Sequence, residues 1–165
     1  MSLTTTRSRT RITIVVGVDL TDVSEHLLAQ TAALVGTVDE AEIHVVHVVR
    51  REQQLLRVVR PADDRDAGVV HQVEQAQEAV GRLCTSLERT PRTRVFMHTP
   101  VGDAATQLAR IADEVAADVI VVEAHEHHGQ WPLSALRRSV VDRIAGLAHS
   151  TVITIRKPAA RAKVA

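Results

Sequence analysis

Between Glu123 and Val141 the chain reads EAHEHHGQWPLSALRRSVV. The stretch holds His125, His127 and His128, the carboxylates of Glu123 and Glu126, one glycine at Gly129, and Arg137 and Arg138 beside Ser139. Three kinds of chemistry are open to such a set. Arginine forks next to a serine at the start of a helix bind phosphate. Histidines with a carboxylate bind transition metals. Carboxylates and arginines can instead satisfy one another on the surface. The metal reading is the weakest. His125 and His127 stand two apart, whereas zinc sites draw their ligands from helical spacings or separate loops. His125, His127 and His128 are therefore weak candidates, and no dedicated metal site is expected. Nor does the chain hold a G-x-S-x-G elbow or a P-loop, and Cys84 lies in a helical pattern with no obvious partner. No nucleophile, base and orienter can be assembled from these residues, so a non-enzymatic role is expected.

The elements that must position this stretch follow from the hydrophobic runs. RITIVVGVD, Arg11 to Asp19, is a continuous apolar strand ending in an acid. TDVSEHLLAQTAALVG then places Leu27, Leu28, Ala32, Leu34 and Val35 near helical spacing, with Asp22 or Ser24 as N-cap and Gly36 as the stop. EIHVVHVV, Glu42 to Val49, predicts a second strand, with His44 and His47 an odd number apart and so on opposite faces. Residues 50–68 are dense in charge, carry Pro61 and Gly68, and predict a surface excursion. A second helix is expected over Val69 to Leu87, with Val73, Ala76, Val80, Leu83 and Leu87 on one stripe. RTRVFMH is a third strand. A helix over Asp103 to Ala116 follows, capped by Asp103 with Gly102 easing the turn. DVIVVEA is a fourth strand, the polar stretch leads to a helix ending near Ala148, and STVITIR is a fifth strand.

This strict alternation predicts a doubly wound α/β domain: a five-stranded parallel sheet with helices on both faces, Rossmann-like in plan. The domain is expected to span residues 11–157. Residues 1–10 and 158–165 carry no hydrophobic period and read as disordered tails.

Composition narrows the function classes. Twenty basic residues balance twenty acidic ones, so no global field draws the chain to nucleic acid or membrane. With one Trp, one Phe and no Tyr there is no stacking platform for single-stranded nucleic acid. No apolar run reaches the roughly 18 residues of a membrane span, and no apolar segment follows the N-terminal arginines as a secretory signal requires. A single cysteine fits a reducing compartment, and a cytoplasmic location is expected.

At this point the pattern resembles a known family. VVGVDLTDVSEHLLAQTAALV is similar to the first strand and helix of the universal stress protein family. VGDAATQLARIADEVAADVIVVEAHEHHGQW, followed by SVVDRIAGLAHSTVITI, is similar to its C-terminal half. The resemblance covers Arg11 to Arg156 and is weakest across residues 50–68. It implies a homodimer formed through the last strand, here Thr151, Val152, Ile153, Thr154 and Ile155, and a stress-response role with a protein partner the sequence leaves unidentified. One branch of the family binds ATP through G-x-x-G-x9-G-[ST] after the fourth strand. Another branch lacks those glycines and carries a histidine pair and a tryptophan at the junction, as HHGQW does here. The chain is closer to the second branch.

Laying the glycine motif over this chain puts its first glycine at Glu123 and its second at Glu126. The final glycine–serine pair falls on Arg138–Ser139 with two extra loop residues, or on Leu136–Arg137 without them. Phosphate cradles use bare backbone N–H groups, which side chains obstruct. A carboxylate about 4 Å from a phosphate charge costs up to ~4 kcal/mol at an effective dielectric of 20. The expected site is thus a degenerate nucleotide pocket with no cofactor. The alternative is an ATP or adenine-nucleotide binder, even a slow ATPase, with Arg137, Arg138 and Ser139 on phosphates and Asp19 on the adenosine. Val48 would line the adenine pocket, and His125 and Gly129 would border it. Asp19 is equally suited to holding a loop amide, and Val48 to the core. A metal-responsive sensor built on the HEHH run is the third reading. Trp131 followed by Pro132 is an anchor against the domain or a partner.

Overall fold

The computed structural model describes residues 11–21, 23–50, 62–124 and 139–156, with only the helical backbone given for residues 62–67. The valine and isoleucine runs form five strands: β1 (Arg11–Gly17), β2 (Glu40–Val46), β3 (Thr93–His98), β4 (Val119–Glu123) and β5 (Thr151–Ile155). Four helices alternate with them: α1 (Val23–Val35), α2 (Ala62–Cys84), α3 (Ala104–Glu114) and α4 (Val140–Leu147). All strand pairs are parallel, in the order β3-β2-β1-β4-β5. The doubly wound, five-stranded parallel fold expected from the alternation is the one observed.

The order explains the layering. From β1 the chain steps outward to β2 and β3, then returns across β1 to β4 and β5. Right-handed crossovers running in opposite directions put their helices on opposite faces. On one face Ile14, Val16, Ile43, Val45 and Val121 pack with Leu27, Leu28 and Val35 of α1 and Val80 and Cys84 of α2. On the other, Val15, Val46, Ile120 and Val122 pack with Ala105, Leu108 and Ile111 of α3 and Ile144 of α4. Consecutive strand residues thus serve two cores, which is why the runs are continuously apolar. Each fully buried valine, leucine or isoleucine contributes about 1.5–3 kcal/mol of transfer free energy.

Several element boundaries differ from expectation. β2 begins at Glu40 and ends at Val46 rather than running from Glu42 to Val49. Past Val46 the regular strand ends, although the His47 and Val49 amides still donate to the His98 and Pro100 carbonyls and Val49 bridges Val101. α2 starts at Ala62, inside the segment read as an excursion, and ends at Cys84. Its helical stripe is as expected, with Ala76 and Val80 buried and Val73 and Leu83 half-buried. Leu87, buried just beyond the helix, closes that core. Burial also pushes the Cys84 thiol up to about 11.

α3 packs on β1 and β4 and α4 on β5. The β2–β3 part of that face carries Glu42, His44, Arg94, Phe96 and His98, all in register with one another or with Val46. Glu42 there holds both Arg11 and Arg94. Together the two cations lower its proton affinity.

Gly17, at the end of β1, shows how tightly the second core sets the strand ends. A Cβ built there would lie 2.9 Å from Leu108 Cδ1 and 3.0 Å from Val122 Cγ1. Gly17→Ala is expected to destabilise the fold by about 1–3 kcal/mol through overpacking, measured by urea unfolding. An unchanged midpoint would show that Leu108 and Val122 yield without cost.

Candidate functional site

In an open α/β sheet the strand order reverses at one place, and the crevice beyond the carboxyl ends there is left uncovered. Here the reversal falls between β1 and β4, and a cleft of about 620 Å³ opens at that point. Gly17, Val18 and Asp19 line it from the end of β1, and Val46, His47, Val48 and Arg50 from β2 and the segment after it. Val122, Glu123 and Ala124 form the β4 wall, with Thr154 and Arg156 at β5. The first turns of α3 and α4 close it with Ala104, Leu108, Ser139, Val140 and Val141. Among the described residues the lining is thus largely aliphatic, and its ionisable groups are Asp19, Glu123, Arg50, Arg156 and His47.

Of the residues singled out in the sequence, Asp19, Val48, Glu123 and Ser139 meet in this cleft. His125, Glu126, His127, His128, Gly129, Trp131, Pro132, Arg137 and Arg138 lie outside the described residues. No group of three potential metal ligands occurs among the described residues. Thr151, Val152, Ile153, Thr154 and Ile155 form β5, whose only strand neighbour among the described residues is β4.

Asp19 follows β1 in a tight turn. Its Oδ1 accepts from the Thr21 amide at 3.0 Å, from Thr21 Oγ1 at 2.7 Å and from Ser24 Oγ at 3.2 Å. The intervening Leu20 sits at φ 64, a left-handed conformation that costs a residue with a Cβ roughly 1–2 kcal/mol. The aspartate's three bonds hold that turn. Ser24, offered by the sequence as an N-cap, is instead buried inside α1, which starts at Val23.

Ser139 is the N-cap of α4, and its hydroxyl is committed. Ser139 Oγ accepts from the Asp142 amide at 3.0 Å and donates to Asp142 Oδ2 at 2.8 Å. Asp142 Oδ2 in turn accepts from the Ser139 amide at 3.2 Å. This reciprocal capping box places a carboxylate on the helix end where the positive dipole and open N–H groups would otherwise favour an anion.

The neighbouring helix end is closed in a similar way. Gly102 turns at φ 147, and Asp103 caps α3 by accepting from the Thr106 amide at 3.0 Å, as the sequence predicts. Arg143 of α4 grips the same carboxylate with both guanidinium arms, at 2.8 and 2.6 Å. The fork joins the two helix starts that wall the cleft. That guanidinium, then the Thr106 amide, holds the Asp103 carboxyl well below the ordinary 3.8.

Three cleft residues escaped the sequence reading: His47, Arg50 and Arg156. Their signal was positional, because each follows a strand's carboxyl end. The His47 Nδ1 lies 3.0 Å from the Val18 carbonyl. A carbonyl only accepts, so Nδ1 carries the proton and Nε2 keeps its lone pair in the neutral ring.

A profile described as the universal stress protein family matches residues 11–156. The chain belongs to the universal stress protein family. The structure is similar to universal stress protein UspA from Lactobacillus plantarum, with a TM-score of 0.70, 18% identity, and coverage of 91% of this chain and 100% of that one. It is similar to a universal stress protein from Archaeoglobus fulgidus in complex with dAMP, with TM-score 0.58, 19% identity, and coverage of 87% and 96%. A universal stress protein in complex with cAMP gives TM-score 0.55, 19% identity, and coverage of 88% and 96%. At such identities the likeness shows the fold. No curated protein matches. No helix among the described residues is long and apolar enough to cross a membrane.

The Asp103–Arg143 fork has a measurable sign. A carboxylate whose proton affinity is depressed by folding stabilises the fold above its ordinary value near 3.8, and that stabilisation is lost as pH falls below it. The pair is partly exposed, so solvent screens it. Arg143→Ala is expected to raise the pH midpoint of acid unfolding followed by circular dichroism. A midpoint equal to wild type would mean that the fork does not couple α3 to α4.

Proposed function

We propose that this chain is a non-enzymatic universal stress protein domain, working as a homodimer in the cytoplasm, whose cleft is a degenerate nucleotide site. It belongs with the branch that lacks the ATP-binding glycines. The single observation carrying this reading is Glu123. Where the first glycine of the ATP motif would fall, a glutamate stands in the cleft wall at the end of β4. A triphosphate seated there meets like charge and a side chain in the place of open backbone. The α4 capping box supports the same reading, since an anion approaching that helix end finds Asp142 already in possession of the Ser139 amide and hydroxyl.

Titration calorimetry with ATP and magnesium tests the reading. No saturable binding below the millimolar range is expected for wild type. Glu123→Gly is expected to gain about ten- to a hundredfold, the screened part of a penalty of up to ~4 kcal/mol. Saturable micromolar ATP binding by the wild-type chain would end it.

A second reading is favoured by the cations. Arg50 and Arg156 line the same cleft as Asp19 and Val48, and similar structures hold cAMP and dAMP. A nucleotide with a single phosphate carries less charge past Glu123 than ATP does. In this reading Asp19 and Val48 receive the adenosine, and Arg137, Arg138 or Ser139 the phosphate, although Ser139 must first leave its capping box. AMP binding below about 100 μM with ATP binding absent, weaker than −5.5 kcal/mol for ATP against stronger for AMP, selects it.

The homodimer would form along β5, whose outer edge is open among the described strands. Two copies related by a two-fold axis would extend the sheet edge to edge. Thr151 and Ile155 spend their backbone groups on β4, so the Thr154 N–H faces the open edge, and Thr154→Pro is expected to give a monomer by light scattering. A dimer of unchanged stability would place the interface elsewhere.

A further inference from the structure

Away from the cleft, the sheet carries a histidine pair that the proposed function does not use. His44 of β2 and His98 of β3 face each other, Nδ1 to Nε2, at 3.0 Å. The His44 ring stacks on Phe96, with centroids 4.8 Å apart and planes within 13°, and on His98 at 5.2 Å and 29°. His44 is only 7% exposed, and its Nε2 is buried without a hydrogen-bond partner.

Counting protons shows what acid does to this arrangement. The neutral pair shares two protons among four ring nitrogens. The facing contact must hold one of them, because two would set N–H against N–H and none would set lone pair against lone pair. The second sits on an outer nitrogen, either His44 Nε2 or His98 Nδ1. A third proton fills the remaining outer position. The singly charged pair therefore must carry an N–H at His44 Nε2, the buried atom that has no acceptor. A buried donor left unpaired costs its full desolvation. A fourth proton would break the facing contact and set two cations together.

The surroundings do little to offset this. Burial is the leading influence on both rings and lowers the proton affinity of each. Glu42, two residues before His44 on β2, favours a charge on that ring, but Arg11 of β1 and Arg94 of β3 already hold its carboxylate. From α3, Glu114 favours and Arg110 opposes a charge on His98, and those two are paired with each other. The element with freedom to respond is β3. Among the described residues it is an edge strand paired to β2 alone, and its Phe96 and Met97 are already exposed.

We propose that the His44–His98 pair is an acid-sensitive latch on the edge strand: the neutral pair holds the C-terminal half of β3 against β2, and uptake of one proton lets it go. The latch is independent of whether the cleft binds a nucleotide.

Amide hydrogen exchange of the full chain reads the latch directly. The His47 and Val49 amides donate to the carbonyls of His98 and Pro100, so they report on this end of β3. The Val18 and Asp118 amides, bonded to Val46 and Thr13, serve as the internal reference. After correction for intrinsic exchange, protection of the first pair relative to the second is expected to fall at least about tenfold for each pH unit between the ordinary histidine value near 6.5 and the pair's depressed value, and up to about a hundredfold where both released rings take a proton. His44→Phe keeps a flat ring against Phe96 and removes the buried Nε2, leaving His98 alone to titrate, so its ratio is expected to fall less steeply with acid than that of wild type. His98→Gln, which leaves His44 a partner that does not titrate, is expected to reduce the acid response and serves if His44→Phe fails to fold. A wild-type ratio constant within about twofold between pH 7.5 and 5 overturns the latch. So does a full acid response in either variant.

Discussion

The order of the strands reverses beside β1, at the centre of the sheet, and everything functional follows from that constraint. β1 is hydrogen-bonded on both sides, to β2 and to β4, so it cannot shift without breaking two ladders. Its side chains alternate between two separate cores, Ile14 and Val16 in one and Val15 in the other. The connection through α1 leads from β1 out to β2, and the connection through α3 returns from β3 to β4, so the chain departs in opposite directions from the carboxyl ends on either side of the reversal. Asp19, Glu123, His47 and the two arginines reach one cleft because the strands ahead of them stop there.

At the cleft and the helix ends beside it, the electrostatics are set by groups the protein uses on itself. Asp19 spends one oxygen on three donors of its own turn. Asp103 is shared between the α3 cap and the Arg143 fork, and Asp142 closes the start of α4. Helix ends that in a phosphate-binding domain would be left open for an anion are occupied by the chain's own carboxylates. Such self-satisfaction rigidifies the walls and raises the threshold an incoming anion must overcome.

How much of this could be read beforehand depends on the kind of signal. Strand and helix order was legible because Val and Ile runs buried on both faces are distinctive, and Asp103 after Gly102 is a plain cap. The end of β2 was misplaced because Val48 and Val49 continue the apolar run. The His47 amide still donates to the His98 carbonyl, while its ring bonds the Val18 carbonyl, a tertiary contact that the apolar run does not show. α2 was begun too late because its first residues, Ala62 to Gly68, carry charge and a glycine in place of an apolar stripe. Asp19, Val48, Glu123 and Ser139 were found through motif positions, which encode sequence distance along the junction. Arg50 and Arg156 enter the cleft from strand ends that no motif marks, and only the strand order brings them there. The His44–His98 contact spans 54 positions, and nothing local announces it.

The lone thiol has a use of its own. Cys84 is buried in the α2 core, and burial pushes its thiol up to about 11, so little of it is ionised at neutral pH. Alkylating reagents therefore ignore the folded chain and modify it only when that core opens. With no second cysteine to compete, the rate of covalent labelling becomes an intrinsic clock for global opening, and it needs no introduced probe.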